Sequence, residues 1–408
     1  MKKLNSAIVL LIILGLSASI RLTKSLTKGS AHSSVTQPFH SQILKPSVEP
    51  QVVPVHASIK TSDRKTVKPH PTPSELPDWA IARSLPFPSR QAGQEDSEVH
   101  YNLKTPPNFK YSPKLQKIVN EAVNVAVEQD LPRQYISITL IDAKTGETAG
   151  YTQDTPRYPA SVIKMFWMVL LYAQLEHNIW ESEDDFTPYL SKMIKESDNE
   201  AASLIVDLIT STRSSPTLKE EKFKPWKYKR QQLNRFFQEA GYKNINIIQK
   251  TFPIYHINFL EPKGSESQLL GDPIRNWNKI TTRHAARLIY EICYAKQAVS
   301  QQASYKMCEW LKRDLNPKVW KKTIDSGFNP IWSFFGEGLS NTDAQLYSKA
   351  GWTSIARAET AMVDTGKKGT TYILVVFSGT SAYADDVQIF PKISRLVYKR
   401  MISRSSKK

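Results

Sequence analysis

Ser161 and Lys164 are the two side chains of this 408-residue chain whose types and spacing point most directly to a reaction. A serine hydroxyl near its usual pKa is a poor nucleophile and needs an adjacent base to take its proton. The apolar run Met165–Leu171 that follows predicts a helix buried in the core. Residues three apart share one helix face, so the Lys164 amine can approach the serine oxygen. Burial would lower the pKa of that amine and make it a usable base.

The same S-x-x-K spacing occurs at three other places in the chain, Ser25–Lys28, Ser62–Lys65 and Ser405–Lys408. All three lie in low-complexity or tail segments. Context therefore distinguishes Ser161, because a helix start, an apolar helix and two further polar motifs accompany it.

The two further motifs follow in order along the chain. The first, Ser197–Asn199 (SDN), lies between two helical stretches, where Asp198 would cap the second helix. The second, Lys349–Gly351 (KAG), lies on a predicted strand, where the glycine would let a substrate approach the backbone closely. Taken singly, the first motif fits an Asx turn with a helix cap, and the second fits an exposed strand lysine.

The elements that must position these motifs predict an α/β (α+β) domain. Apolar residues at helical spacing predict an amphipathic helix over Pro113–Glu128, and from Pro159 to about Leu315 the chain is mainly helical. A last helix is predicted from about Ala384 to Ile402. Five strands are predicted: Tyr135–Ile141, Glu147–Tyr151, Gln345–Thr353, Ala358–Thr365 and Thr371–Thr380. We expect an antiparallel five-stranded sheet flanked by helices, plus an all-helical lobe, with the site in the cleft between the two lobes.

Together and in this order, the three motifs resemble those of the penicillin-recognising serine enzymes, most closely the class A β-lactamases. The stretch Thr281–Ile292 (TTRHAARLIYEI) also looks like the helix that follows the active-site loop in class A enzymes. The resemblance covers about 115–405. It implies the two-lobed β-lactamase/D,D-peptidase fold and a reaction that opens the β-lactam amide through an acyl-enzyme.

The resemblance implies four catalytic residues. Ser161 would be acylated, and Lys164 would help to deprotonate it. Ser197 would relay a proton to the leaving nitrogen, and Lys349 would supply positive potential for a substrate carboxylate. The oxyanion hole would consist of the backbone N–H groups of Ser161 and Trp352.

Substrate binding is implied for a second set of residues. Asn199 would bind the side-chain amide of the substrate, and Arg357 would contact its carboxylate, with a surface salt bridge as the alternative for Arg357. The implied set is Asn199, Gly351, Trp352, Thr353 and Arg357.

Two positions depart from the class A pattern. Ala350 lacks the hydroxyl usual at the middle of the third motif, and Thr353 is the candidate replacement. The deacylating glutamate is expected at Thr251 or Phe252, so only Glu261 and Glu266 remain as substitutes. If neither activates water, the acyl-enzyme would be long-lived, as in D,D-peptidases.

Three functional hypotheses follow. The leading one is a class A β-lactamase-like hydrolase, the second is a D,D-carboxypeptidase or transpeptidase acting on peptidoglycan stem peptides, and the third is a non-catalytic cell-wall-binding protein with a degenerate site. No cofactor or metal is expected, because the eight histidines are scattered without metal-ligand spacing. Cys293 and Cys308 fit a disulfide and two buried thiols equally well.

The N-terminal third predicts export and tethering. Lysines at the terminus and an apolar run over Ala7–Ile20 fit a signal peptide or a short membrane anchor over 1–21, which indicates a periplasmic or extracytoplasmic protein. Residues 22–113 are rich in Pro and basic residues and predict a disordered linker before a domain at 114–405. A net charge of +17 favours an anionic wall or membrane surface over nucleic acid as partner for an exported chain. We expect a monomer.

Overall fold

The computed structural model describes residues 87–94, 96–102, 105–271, 276–366 and 369–405. The predicted leader (1–21) and the predicted linker as far as residue 86 lie outside the described residues. Part of the remaining predicted linker belongs to the domain, because Val99 and Tyr101 are buried in its core. The Tyr101 ring packs against those of Phe236 and Phe237. The predicted domain boundary at 113 is therefore too late, since isolated apolar residues in a polar stretch carry no periodic signal.

A seven-stranded sheet organises the domain, with the strand order β1-β3-β2-β7-β6-β5-β4. The five long strands are antiparallel to one another where they pair, as expected. The sheet is mixed, however, because β1 pairs with β3 in parallel at one edge, and β4 adds a seventh strand at the other. Strands β1 and β4 have two residues each, too few to show the alternation of apolar and polar residues that predicts a strand. The strands are β1 Lys110–Tyr111, β2 Ile136–Asp142, β3 Glu147–Tyr151, β4 Lys312–Arg313, β5 Gln345–Thr353, β6 Ala356–Asp364 and β7 Thr371–Ser378.

Helices cover both faces of the sheet. The first nine are α1 Pro113–Val127, α2 Ile163–Glu176, α3 Thr187–Leu190, α4 Asn199–Thr210, α5 Glu220–Arg230, α6 Gln232–Glu239, α7 Gly264–Leu270, α8 Thr282–Ile289 and α9 Gln301–Leu311. The others are α10 Pro317–Trp320, α11 Phe335–Leu339, α12 Ser381–Asp385 and α13 Ile389–Ser405. One core lies between the sheet and α1, α11 and α13, and the other between the sheet and the helical lobe around α2.

Helix α2 is the centre of the helical lobe. Twelve of its fourteen residues are buried, as its apolar sequence predicts. Helix α1 begins as expected, with Ser112 accepting a hydrogen bond from the Leu115 N–H and Pro113 at its first position.

Two other expectations are refined by the structure. The predicted last helix is two helices, α12 and α13, because the Asp386 side chain accepts from the N–H groups of Gln388 and Ile389 and starts a new helix. Cys293 and Cys308 form a disulfide and are not two buried free thiols, the other alternative that the sequence allows. Within the described part of the chain, no helix has both the length and the apolarity needed to span a bilayer.

Candidate active site

Ser161 lies in a short 3-10 turn, Ala160–Val162, that leads directly into α2. Ala160 has a left-handed backbone with φ of 46°, which turns the chain sharply before the serine. Ser161 is partly exposed, whereas Lys164 is fully buried one turn later. The Lys164 Nζ lies 3.1 Å from the Ser161 Oγ, as the S-x-x-K spacing predicts.

Lys164 is held by three acceptors. Besides Ser161, its Nζ donates to the backbone carbonyl of Ser197 and, at 2.7 Å, to the Oδ1 of Asn199. Burial lowers the pKa of Lys164 to about 7, although the nearby Asp198 carboxylate opposes the shift. About half of the amines are therefore neutral near pH 7 and able to accept a proton from the serine.

The SDN motif forms the turn between a π-helical segment, Ser191–Glu196, and α4. The Asp198 carboxylate accepts from the Ala201 N–H at 2.7 Å, so the predicted helix cap is confirmed. Ser197 has a left-handed backbone with φ of 62°. In this conformation its carbonyl meets Lys164, while its hydroxyl accepts a hydrogen bond from Lys349 at 2.7 Å.

Lys349 completes a chain of polar groups that starts at Ser161. Its buried Nζ donates to the Ser197 hydroxyl and, at 2.8 Å, to the Ala350 carbonyl. Burial, together with the nearby charges of Lys164 and Arg313, holds the pKa of Lys349 well below its usual value. Ser197 thus lies between two amines that release protons more easily than ordinary lysines do.

Gly351 brings the edge of the sheet against the nucleophile. A Cβ at this position would lie 2.6 Å from the Ser161 backbone nitrogen and 3.0 Å from the Pro159 carbonyl. Only a residue without a side chain allows β5 to run this close to the serine. The approach places the β5 backbone beside the Ser161 N–H, as an oxyanion hole made of backbone N–H groups requires.

Three further residues were expected to contact the substrate, Trp352 through its backbone N–H in the oxyanion hole and Thr353 and Arg357 at the substrate carboxylate. Trp352 is half exposed, and its indole N–H donates to the Ala384 carbonyl at 2.8 Å. Thr353 is partly exposed, and its hydroxyl accepts a long hydrogen bond of 3.4 Å from the Ile355 N–H.

Arg357 requires a correction. Its guanidinium is 3% exposed and donates to Ser333 and to the carbonyls of Tyr383 and Ala384. It is therefore neither a surface salt bridge nor a group open to substrate. Arg357 positions the loop before α11 and the turn at α12.

Neither candidate for the deacylating glutamate has a suitable environment. Glu266 is completely buried, and both of its oxygens accept hydrogen bonds from Arg230 at 3.0 Å. Glu261 is exposed on the loop before α7. Thr251 and Phe252, at the expected place, carry no carboxylate. Glu266, one of the two remaining substitutes, has its carboxylate committed to a buried ion cluster with Arg230 and Lys250.

Three further charged groups near the site were missed by the sequence analysis. Glu200, directly after the SDN motif, accepts hydrogen bonds from the Tyr255 N–H and from His256, and so ties the loop after Lys250 to α4. Arg313 on β4 donates to the Ser348 carbonyl beside Lys349. Glu359 on β6 is fully buried, and burial raises its pKa to about 8. No local pattern marks these residues, because their partners are remote in sequence.

In the described ranges, no group of three or more His, Cys, Asp or Glu residues is arranged to hold a metal ion. The reactive groups present are the hydroxyls and amines already described.

Several known proteins are similar to this chain. The solved structures of PBP-A and of a β-lactamase from Sphaerobacter thermophilus DSM 20745 are each 15% identical to this chain, with TM-scores of 0.47 and 0.48, and each match covers 72% of this chain and 98% of the other. A β-lactamase from Chitinophaga pinensis DSM 2588 is 15% identical, with a TM-score of 0.46 and coverage of 71% and 99%. No curated protein matches the chain. A family model described as "Beta-lactamase enzyme family" matches residues 186–401, more than half of the chain. The chain therefore belongs to the β-lactamase enzyme family.

Proposed function

We propose that the protein is a penicillin-reactive D,D-peptidase that forms a long-lived acyl-enzyme on Ser161. The neutral Lys164 amine takes the proton of the Ser161 hydroxyl as the oxygen attacks the substrate amide carbon. The C–N bond then breaks, and the leaving nitrogen receives a proton from the Ser197 hydroxyl, which Lys349 resupplies. The observation that carries the proposal is the contact of the buried Lys164 amine with the Ser161 hydroxyl.

The continuous hydrogen-bonded network supports catalysis over the non-catalytic hypothesis. Lys164 contacts the Ser161 hydroxyl and the Ser197 backbone carbonyl, and the Ser197 hydroxyl contacts Lys349, so residues from different elements meet at one place. Burying two amines without a carboxylate in direct contact is costly, which disfavours a chance arrangement in a degenerate site.

The environment of the carboxylates supports a peptidase over a β-lactamase. Fast hydrolysis of an acyl-enzyme needs a base that activates water. Glu266 is fixed by Arg230, and Glu261 is exposed with no contact to the catalytic network among the described residues. β-Lactamase activity, the leading hypothesis from sequence, is the second candidate, and the family match favours it.

The proposed substrate is a peptidoglycan stem peptide, and the proposed location is outside the cytoplasm. The Cys293–Cys308 disulfide supports this location, because disulfides persist in oxidising compartments. The exposed lysines of α5, such as Lys222 and Lys224, would favour an anionic wall surface.

Labelling with a reporter penicillin, followed by mass spectrometry of the intact protein and its peptides, tests the proposal. We expect one adduct on Ser161 that persists for many minutes, and no adduct in Ser161→Ala. Rapid loss of the adduct with turnover of penicillin would instead identify a β-lactamase. Absence of labelling in the folded protein would leave only the non-catalytic hypothesis.

Phe252→Glu tests the explanation for slow deacylation. A carboxylate at one of the two positions where the resemblance expects it should shorten the adduct lifetime by at least about tenfold, within the range of general-base catalysis. Phe252→Gln is the matched control, since it has the same length without the base. Equal lifetimes in both variants would contradict the explanation.

A further inference from the structure

A cleft with a volume of about 860 Å³ is formed by α4, α5, the loop between these helices and the segment that begins at Phe87. Among the described residues that line the cleft, none belongs to the proposed catalytic network. Its volume falls within the range of sites that hold small ligands. The chemistry of its lining determines which ligand it fits.

Apolar side chains form most of the cleft wall. Leu204 and Leu208 lie one turn apart on α4 and therefore face the same way, and Ile257 adds a third aliphatic group. The indole rings of Trp180 and Trp226 also belong to the wall. Contact with such a wall removes an alkyl chain from water, so each methylene of a ligand would add to its affinity.

Hydrogen bonds within the protein hold the wall in place. The Glu181 N–H donates to the Ser89 carbonyl at 3.0 Å, which fixes the first described segment of the chain. The Trp226 indole N–H donates to the Arg213 carbonyl at 2.9 Å, which fixes the loop after α4 to α5. A wall held in this way is preorganised, so a ligand would not have to order it on binding.

The exposed charges in the cleft are cationic. Arg213 and Lys222 both line it, and both are exposed. Asp207 is the one acid among the described lining residues, and its carboxylate is paired with Arg230 at 3.2 Å and with Lys250 at 2.7 Å. An anionic group in the cleft would therefore be attracted to two exposed cations, while the acid of the described wall is already neutralised by its partners.

From this lining we infer that the cleft binds a single-chain anionic lipid, with the alkyl chain against the apolar wall and the head group near Arg213 and Lys222. Charge complementarity and apolar contact together define the ligand. A neutral lipid would leave the two cations unused, and a small anion would leave the apolar wall in water. The inference does not depend on the reaction at Ser161.

Isothermal titration calorimetry of the full chain with octyl phosphate, below its critical micelle concentration, tests the inference. Octyl glucoside and inorganic phosphate are the matched probes, because each keeps one half of the ligand. We expect octyl phosphate to bind at least about tenfold more tightly than either probe. Equal affinity for octyl glucoside or for inorganic phosphate overturns the inference. Absence of binding, as when a segment of the protein itself fills the cleft, also overturns it.

An octyl phosphate analogue with a diazirine in its alkyl chain locates the site. After irradiation, mass spectrometry of the peptides should place the crosslinks on α4, on α5 or on the loop between them. Crosslinks found only in other parts of the chain, the catalytic cleft included, would contradict the inference.

Substitution of the two exposed cations tests the charge selection. The double variant Arg213→Gln/Lys222→Gln should bind octyl phosphate about tenfold more weakly, as expected for the loss of two exposed ion pairs, and should bind octyl glucoside as before. Lys224→Gln is the matched control, because Lys224 is exposed on the same helix but does not line the cleft. An unchanged affinity for octyl phosphate in the folded double variant would refute the role of the two cations.

Discussion

Acylation of Ser161 should accelerate as the pH rises and then level off above neutrality. Lys164 must be neutral to take the serine proton, and burial lowers the pKa of its amine to about 7. A fully exposed lysine would instead titrate at about 10.4. The pH dependence therefore measures directly whether the amine is buried beside the hydroxyl.

The size of the effect follows from the pKa. With a value of about 7, the neutral fraction rises from about 0.09 at about pH 6 to about 0.9 at about pH 8, a tenfold increase that then saturates. With an ordinary lysine the rate would rise about a hundredfold over the same interval and would continue to climb beyond it. The two curves differ in slope and in the presence of a plateau.

Stopped-flow acylation with a fluorescent penicillin, between about pH 5 and pH 9, gives the curve. Asp198→Asn is the matched perturbation, because asparagine caps a helix as well as aspartate does but carries no charge. The Asp198 charge raises the pKa of Lys164, so its removal should shift the midpoint to lower pH. A rate that climbs without a plateau, or one that does not depend on pH, would refute the assignment of Lys164 as the base.

Three other perturbations have definite expected outcomes. Gly351→Ala should slow acylation by about a hundredfold or more, because its Cβ would displace the serine backbone N–H that lies 2.6 Å away. Glu266→Gln should lower the free energy of unfolding in urea by about 3–5 kcal/mol, since it leaves Arg230 buried with a weakened partner, while the adduct lifetime stays the same. Reduction of the Cys293–Cys308 disulfide, which closes a 15-residue separation, should lower the unfolding free energy in guanidinium by about 3 kcal/mol.

Each of these outcomes has a clear contrary result. Acylation at the normal rate in Gly351→Ala would mean that β5 does not form part of the oxyanion site. A prolonged adduct in Glu266→Gln would show that this carboxylate activates water after all. Equal unfolding free energies for the oxidised and reduced proteins would mean that the disulfide does not stabilise the fold. The same would follow if the oxidised protein and the double variant Cys293→Ser/Cys308→Ser were equally stable.

The positions of the proposed catalytic residues were largely predictable, because each of their motifs is local. S-x-x-K places two side chains on one face of a helical turn, and SDN caps a helix, so the positions of Ser161, Lys164 and Asp198 follow from short-range geometry. The glycine of KAG predicted a close backbone approach, and the approach is to Ser161. Five strand positions followed from alternation and β-branched content.

The parts that were not predictable depend on partners remote in sequence. Arg357 looked equally suited to a substrate contact and to a salt bridge, and only the fold shows that Ser333 and Ala384 occupy it. Glu266 looked available as a base until α5 placed Arg230 against it. The segment after residue 87 was assigned to the linker because its buried residues, such as Tyr101, are spaced irregularly.

The buried amines and the nearby carboxylates differ in their part in the proposed reaction. Burial lowers the pKa of both Lys164 and Lys349, and the charge of Lys164 lowers that of Lys349 further, so packing alone would favour apolar side chains at both positions. What the pair provides is a Ser197 residue held by Lys164 at its backbone carbonyl and by Lys349 at its hydroxyl, and the second contact suits proton transfer during acylation. The carboxylates near the loop after Lys250 differ from these amines, because hydrogen bonds hold each of them to a donor of the protein. Glu200 is bound to the loop and Glu266 to Arg230. In the proposed reaction, acylation therefore uses the two amines and the two serines, whereas the fixed Glu200 and Glu266 carboxylates take no part, so Glu266→Gln should leave both the rate of formation and the lifetime of the acyl-enzyme unchanged.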